Sequence, residues 1–191
     1  MNFCSNCGQP IVIMVPPDDD RMRHVCTACN TVHYLNPKVV AGCIPVHEDR
    51  ILLCKRAIEP RSGFWTLPAG FMELGETSLE AAMRETLEEA QARVRVQDLY
   101  AVFNLPHVNQ VYLMFRSLLL DQNFAPGRES TEVKLFTEPE IPWQDLAFAT
   151  IRQTLKFYFE DKRNDRYPLH TGDILREGNT YSFRPGPSGK A

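Results

Sequence analysis

No run of eighteen or more apolar residues occurs in this 191-residue chain, which excludes a membrane-spanning helix. Met1 leads into a cysteine pair with no basic stretch and no apolar signal core, so no secretory leader is expected and a cytoplasmic location is. Positive charge does not predominate: 21 Lys and Arg stand against 24 Asp and Glu, a net charge of −3. Coating nucleic acid through its phosphates demands a basic surface, so nucleic acid is disfavoured as the main partner and a small molecule is favoured. Room remains for a local basic pocket. Internal repeats are also missing, and 43% hydrophobic residues is the content of an ordinary globular protein with one full domain and a small module.

The six cysteines are of two kinds. Cys4, Cys7, Cys26 and Cys29 form two C-x2-C pairs separated by eighteen residues. Two tight knuckles at this spacing offer four thiolates to a tetrahedral Zn²⁺, and Gly8 eases the first turn. Disulfides are the poorer explanation at an intracellular address. Four sulfurs leave no open position, so the zinc is read as structural and His24 and His33 as non-ligands. Cys43 and Cys54 sit singly in apolar stretches and read as small buried hydrophobes. Arg21, Arg23 and Lys38 are offset by Asp18, Asp19 and Asp20, so this module is expected to brace a neighbouring domain or support a dimer.

Three zones follow: a zinc ribbon over 1–36, a domain of alternating β-rich and helical segments over 37–162, and a partly disordered tail over 163–191. In the first, the polar turn Pro16-Pro17-Asp18-Asp19-Asp20 links two short hairpins. In the second, Val39–Val46 and Ile51–Arg56 flank a turn at His47-Glu48-Asp49-Arg50, which predicts an antiparallel hairpin, and Val94–Asn104 and Gln110–Leu120 predict two further strands. A helix is predicted from Ser78 to about Ala92, because Leu79, Ala82, Met83, Thr86, Leu87 and Ala90 recur at helical spacing with no Gly or Pro between. Thr77 and Glu80 fit a capping box at its start. A second helix is predicted from about Asp145 to Lys162. The tail ends in Pro185-Gly186-Pro187-Ser188-Gly189-Lys190-Ala191, but its Tyr167, His170, Tyr181 and Phe183 offer places to dock.

Chemistry concentrates on the first helix. Glu85, Glu88 and Glu89 stand at i, i+3 and i+4, on one side of a helix. Three adjacent carboxylates repel one another, and a divalent cation that takes all-oxygen ligands, Mg²⁺ or Mn²⁺, would relieve that repulsion. Arg84 can hold one acid bidentately while the others face the metal. A solvated, charge-decorated helix is the plainer reading of E-x-x-E-E alone.

The wider segment resembles the Nudix box, G-x5-E-x7-R-E-U-x-E-E-x-G-U, with Gly70, Glu76, Arg84, Glu85, Glu88 and Glu89 at the required offsets. Gln91 stands where the box has Gly, and Thr86 and Ala92 stand at apolar positions, so the exit of the helix is expected to change its turn or to extend slightly. The resemblance implies an α/β/α sandwich on a mixed sheet and hydrolysis of a phosphoanhydride. It implies a metal-ligand carbonyl at Ala69, metal ligands at Glu85 and Glu89, Glu88 as ligand or water-activating partner, and support of the loop from Glu76. A further catalytic acid is implied in a later loop, at Glu129 or Glu132, and the resemblance also implies a homodimer.

A ribbon followed by such a domain also resembles the NADH pyrophosphatases, but their S-Q-P-W-P-F-P-x-S segment is not found between Val94 and Leu120. Asn36-Pro37-Lys38, Leu53-Cys54-Lys55-Arg56, Gly63 to Gly70 and Phe124-Ala125-Pro126-Gly127 are more similar to the zinc-ribbon Nudix enzymes of plants and bacteria that act on FAD and ADP-ribose. Such substrates need a flat apolar surface and phosphate-binding cations. Phe64, Trp65, Tyr112 and Phe148 are candidates for the first and Arg56 and Arg61 for the second, although core packing is the commoner role of each aromatic. The alternatives are an ADP-ribose sensor without turnover, an NADH or other nucleotide pyrophosphatase, and an enzyme acting on capped RNA.

Overall fold

The computed structural model describes residues 1–187, in two compact units that divide between Pro37 and Lys38. No helix among the described residues is long and apolar enough to cross a membrane.

In the first unit, β1 (Val12–Met14), β2 (Arg23–Val25) and β3 (Val32–His33) form an antiparallel sheet in that order. Each C-x2-C pair sits on a hydrogen-bonded knuckle: Gly8 N donates to Cys4 O, and Cys26 N donates to Thr31 O. Each knuckle also contains a left-handed residue, Gly8 in one and Asn30 in the other, the residue types that tolerate this backbone.

The second unit is built on one mixed nine-stranded sheet. Its strands are β4 (Lys38–His47), β5 (Arg50–Arg56), β6 (Trp65–Thr66), β7 (Ala69–Phe71), β8 (Val94–Leu105), β9 (Gln110–Leu119), β10 (Ser130–Phe136), β11 (His170–Glu177) and β12 (Thr180–Pro185). The order is β10-β5-β4-β9-β8-β11-β12, with β6 paired to β5 and β7 to β4. The pairs β4–β9 and β8–β11 are parallel. Alternation along the central strands decides which face each residue serves. Val40, Ile44, Val46, Ile51 and Leu53 join one core, whereas Ala41, Cys43, Leu52 and Cys54 join the other.

Helix α2 (Ala149–Asn164) covers the first face with Ile151, Leu155 and Phe159. Helix α1 (Ser78–Ala90) covers the second with Ala81, Ala82 and Ala90, small residues that let it lie close to the sheet. These layers make the α/β/α sandwich. The Thr77–Glu80 capping box is present. Leu79, Met83 and Leu87, which helical spacing groups with the inward residues, instead lie on the exposed side. The sheet contacts the alanine stripe, leaving those three one step around the helix.

Three further differences have local causes. Leu146 is drawn into a bridge beside Trp65, and Ala147 N donates to Trp65 O, so α2 begins at Ala149 rather than at Asp145. Gln91 neither extends α1 nor alters its exit: it takes the left-handed conformation itself, at φ 49°, and its Nε2 donates to Pro126 O at 2.9 Å. The expected tail is largely ordered over the described residues. After α2 the chain forms the β11–β12 hairpin, β11 lying parallel to β8. Within it His170 Nε2 lies 2.6 Å from Asp161 Oδ2, which also accepts from Tyr100 Oη at 2.5 Å. Ser188–Ala191, the end of the sequence expected to be disordered, lies outside the described residues.

Candidate active site

The loop and helix of the acidic segment are tied together by Arg84. Its guanidinium meets Glu76 bidentately, at 2.7 and 3.0 Å, and reaches Phe71 O, Glu85 Oε1 at 2.7 Å and Glu88 Oε2 at 3.0 Å. Glu76 also accepts from the Glu73 backbone N–H at 2.6 Å. These bonds hold the Glu76 carboxyl down at about 2, the Arg84 contact contributing most. The loop that precedes α1 is thereby fastened to the middle of the helix, with Gly70 against the acids. A Cβ at position 70 would fall 2.3 Å from the Glu85 carboxylate.

The three helix carboxylates differ in setting. Glu89 is only 5% exposed, and one of its oxygens, Oε2, has no hydrogen-bond partner. Burial pushes its carboxyl up to about 8; Glu85 and Glu129 add to the rise, while Arg56 and the Ala69 N–H oppose it. Burial also raises Glu85, against the pull of Arg84. Glu88 is turned outward, with its side chain 59% exposed. Among the described residues, the groups that bring one ligand atom from each of three or more His, Cys, Asp or Glu side chains within 4.8 Å of one another comprise the four cysteines and not the helix acids. Arg84 draws Glu85 and Glu88 towards itself while Glu89 stays in the core.

These groups line a cleft of about 1690 Å³. Of the two later acids, Glu129 lines it and Glu132 does not; Glu132 pairs at the surface with Lys55. Arg56, Arg61, Tyr112 and Phe148 also line it, with the Arg56 guanidinium 5.1 Å from the Phe148 ring centroid. Phe64 and Trp65 do not. Trp65 belongs to the core, edge-on to Phe136 at 4.9 Å, and Phe64 lies beneath Arg61. Sequence reasoning missed Arg128, Arg152 and Lys156, which add positive charge to the cleft, and the wall contributed by His107, Tyr181 and Phe183. The i, i+4 placement of Arg152 and Lys156 on α2 was the available signal; for the hairpin wall the signal was the aromatic content of the tail, which marked Tyr181 and Phe183 for docking but not for the cleft, since that placement depends on long-range pairing.

The orphaned, desolvated Glu89 oxygen beside Glu85 and the glycine cradle at position 70 suit a divalent cation that prefers oxygen donors. In the first unit, the Sγ atoms of Cys4, Cys7, Cys26 and Cys29 lie within 4.8 Å of one another. The Cys4–Cys29 and Cys7–Cys26 separations, 3.7 and 3.5 Å, approach the roughly 3.8 Å edge of a tetrahedron with Zn–S bonds of about 2.3 Å. Hydrogen bonds from Thr31 hold the Cys29 thiol down at about 6. His33, read as a non-ligand, places Nε2 at 3.3 Å from Cys4 Sγ.

Comparison with known proteins matches residues 2–35 to the Nudix N-terminal zinc-ribbon family and residues 36–157 to the NUDIX domain family. An ADP-ribose pyrophosphatase from Methanocaldococcus jannaschii is 33% identical over 121 residues, 60% of this chain and 69% of that protein. The NAD-capped RNA hydrolase NudC of Salmonella heidelberg is 38% identical over 96 residues, 49% of this chain and 34% of that protein. The crystal structure of a NUDIX hydrolase from Nitrosomonas europaea is 53% identical and superposes with a TM-score of 0.90 over 92% of this chain and 100% of that one.

Proposed function

The chain belongs to the NUDIX domain family of hydrolases, and from that premise we propose that it cleaves the pyrophosphate bond of a nucleoside diphosphate derivative, FAD or ADP-ribose, releasing AMP. The observation that carries this reading is the buried, partnerless Glu89 oxygen beside the desolvated Glu85 in a cleft that also holds Arg56, Tyr112 and Phe148. An acidic floor for cations and a basic, aromatic wall for a nucleotide occupy one cavity. The similarity to an ADP-ribose pyrophosphatase supports the substrate class.

Glu85 and Glu89 would hold Mg²⁺ or Mn²⁺, with Glu88 and Glu129 at the margin, and the Ala69 carbonyl is proposed as a further ligand. Such a cation supplies charge neutralisation at the pyrophosphate oxygens and lowers the pKa of a bound water. Glu76 and Arg84 keep the loop at Gly70 against the helix, so the acids stay aimed into the cleft. Arg56 and Arg61 would meet the phosphates, while Tyr112 and Phe148 would face the base. Glu129, which lines the cleft, is favoured over Glu132 to position or deprotonate the attacking water. Zn²⁺ in the ribbon is structural, the ribbon is proposed to span 1–36 and the hydrolase domain 37–162, and a homodimer is proposed for the assembly.

The narrowing to FAD and ADP-ribose is tested by rate comparison with a sugar nucleotide and a nucleoside triphosphate under one metal condition. Higher kcat/KM for FAD or ADP-ribose is expected, and poor turnover of both beside the others contradicts it. A second reading, cleavage at the capped end of RNA, draws support from Arg128, Arg152 and Lys156 in the cleft and from similarity to the capped-RNA hydrolase.

A further inference from the structure

The matched NUDIX region ends at residue 157, yet the chain beyond it helps to build the active-site cleft: Ile174, Tyr181, Ser182 and Phe183 all line it. This added wall is anchored. Phe183 packs edge-on to Phe103 and Phe157, with ring centroids 5.7 and 5.3 Å apart, and Ile174 is buried. The His170–Asp161–Tyr100 contacts fasten the start of the hairpin to α2 and β8.

Tyr181 differs from these packing residues. It remains 47% exposed and stands beside His107, itself exposed, with ring centroids 5.8 Å apart and planes inclined by 59°. Arg176 lies over the Tyr181 ring at 5.9 Å from its centroid, and the ring surface left exposed on Tyr181 and His107 at the wall of the cleft is a surface for another flat ring; Gln110, which also lines the cleft, offers an amide for its polar edge.

Position in the sheet sets the distance. The loop at Ala69–Phe71 pairs with β4, and β12 lies four strands along the sheet, beyond β9, β8 and β11. Four steps of about 4.8 Å put the hairpin about 19 Å from the β4 edge of the catalytic loop. The cleft volume of about 1690 Å³ exceeds the roughly 300–1,000 Å³ of an ordinary small-molecule site. One nucleoside diphosphate would leave the hairpin end of this space empty.

We infer that Tyr181 and His107 bind a second planar ring, so that the preferred substrate carries an aromatic heterocycle at each end of its pyrophosphate, as a dinucleotide does, rather than at one end only. This rests on the phosphoanhydride reading above and assigns the far end of the same site. Tyr181 and His107 are specificity residues in this scheme and take no part in the bond that breaks.

The test compares FAD, with a ring at each end, and ADP-ribose, with one. Binding is measured by titration calorimetry with Ca²⁺ present, and turnover of both compounds is measured separately with Mg²⁺. Tyr181→Ala is expected to lower the affinity for FAD relative to ADP-ribose by about tenfold, in keeping with the loss of one base–aromatic stack. Tyr181→Phe, which keeps the ring, should restore the ratio, and His107→Ala carries the same test from outside the hairpin should Tyr181→Ala disturb folding. An unchanged ratio, an equal loss for both ligands, or no FAD binding by the unsubstituted chain overturns the inference. Failure of the unsubstituted chain to cleave either compound, with the binding ratio still dependent on Tyr181, would instead count against the hydrolase reading and leave the second-ring site standing.

Discussion

At the scale of single residues, position in the acidic segment matters less than setting. Glu85, Glu88 and Glu89 are one residue type on one helix turn, yet Glu89 is buried and partnerless on one oxygen while Glu88 faces Arg84 and solvent. The sequence spacing identified the trio but not this division, because it arises from the sheet behind Glu89 and from the reach of Arg84. Glu89→Gln replaces a buried carboxyl, which burial already pushes up to about 8, by a neutral amide of the same shape. That variant is expected to fold with an unchanged or higher melting temperature and to lose about a hundredfold or more in turnover; calorimetry and initial rates on one preparation check both. Full activity would remove Glu89 from the metal-binding set. The aromatics make the complementary case: Tyr112 and Phe148 reach the cleft whereas Trp65 serves the core, a distinction that β-strand alternation leaves open until the neighbouring strands are known.

At the scale of elements, the end of α1 is where sequence and structure part most instructively. The resemblance to the box supplies a glycine at position 91, and the reason for that glycine is visible in the left-handed conformation that Gln91 adopts in its place. Gln91→Gly is expected to raise stability by about 0.5–1 kcal/mol, since relief of left-handed strain exceeds the entropic cost of glycine and the exposed bond to Pro126 is worth little. The opposite effect is expected across the contact. Gly127 N donates to Glu89 O, and a Cβ on Gly127 would fall 1.7 Å from Glu88 O. Gly127→Ala should therefore displace the helix end that carries both acids, costing about 2–4 kcal/mol and lowering turnover as well. Chemical denaturation of the two variants beside the unsubstituted chain reads both; a neutral Gly127→Ala would show that this close approach is not maintained in solution. Helix α1 and strands β4, β5, β8 and β9 were legible because periodicity and capping are local signals. Strand β10 and the β11–β12 hairpin were not, since their residues become strands by pairing with β5 and β8.

At the scale of the whole molecule, six cysteines report on two environments. Cys4, Cys7, Cys26 and Cys29 form the gathered ligand set, whereas Cys43 and Cys54 are buried in the sandwich, where burial raises both thiols. A strong zinc chelator under native conditions is expected to make four thiols reactive to a colorimetric reagent, the remaining two reacting only after denaturation. Six reactive thiols on chelation alone would mean that the sandwich opens together with the ribbon. The cleft in that sandwich gathers the acids of α1, the later-loop Glu129 and the cations of β5 and α2 into one chemical site. The most direct measurement of what it does is hydrolysis of FAD and ADP-ribose with Mg²⁺, Mn²⁺ or EDTA, with both products resolved by chromatography. The hydrolase reading predicts AMP release that requires a divalent cation and stops in EDTA; binding of these compounds without cleavage under every metal condition would contradict it and identify the protein as a nucleotide sensor.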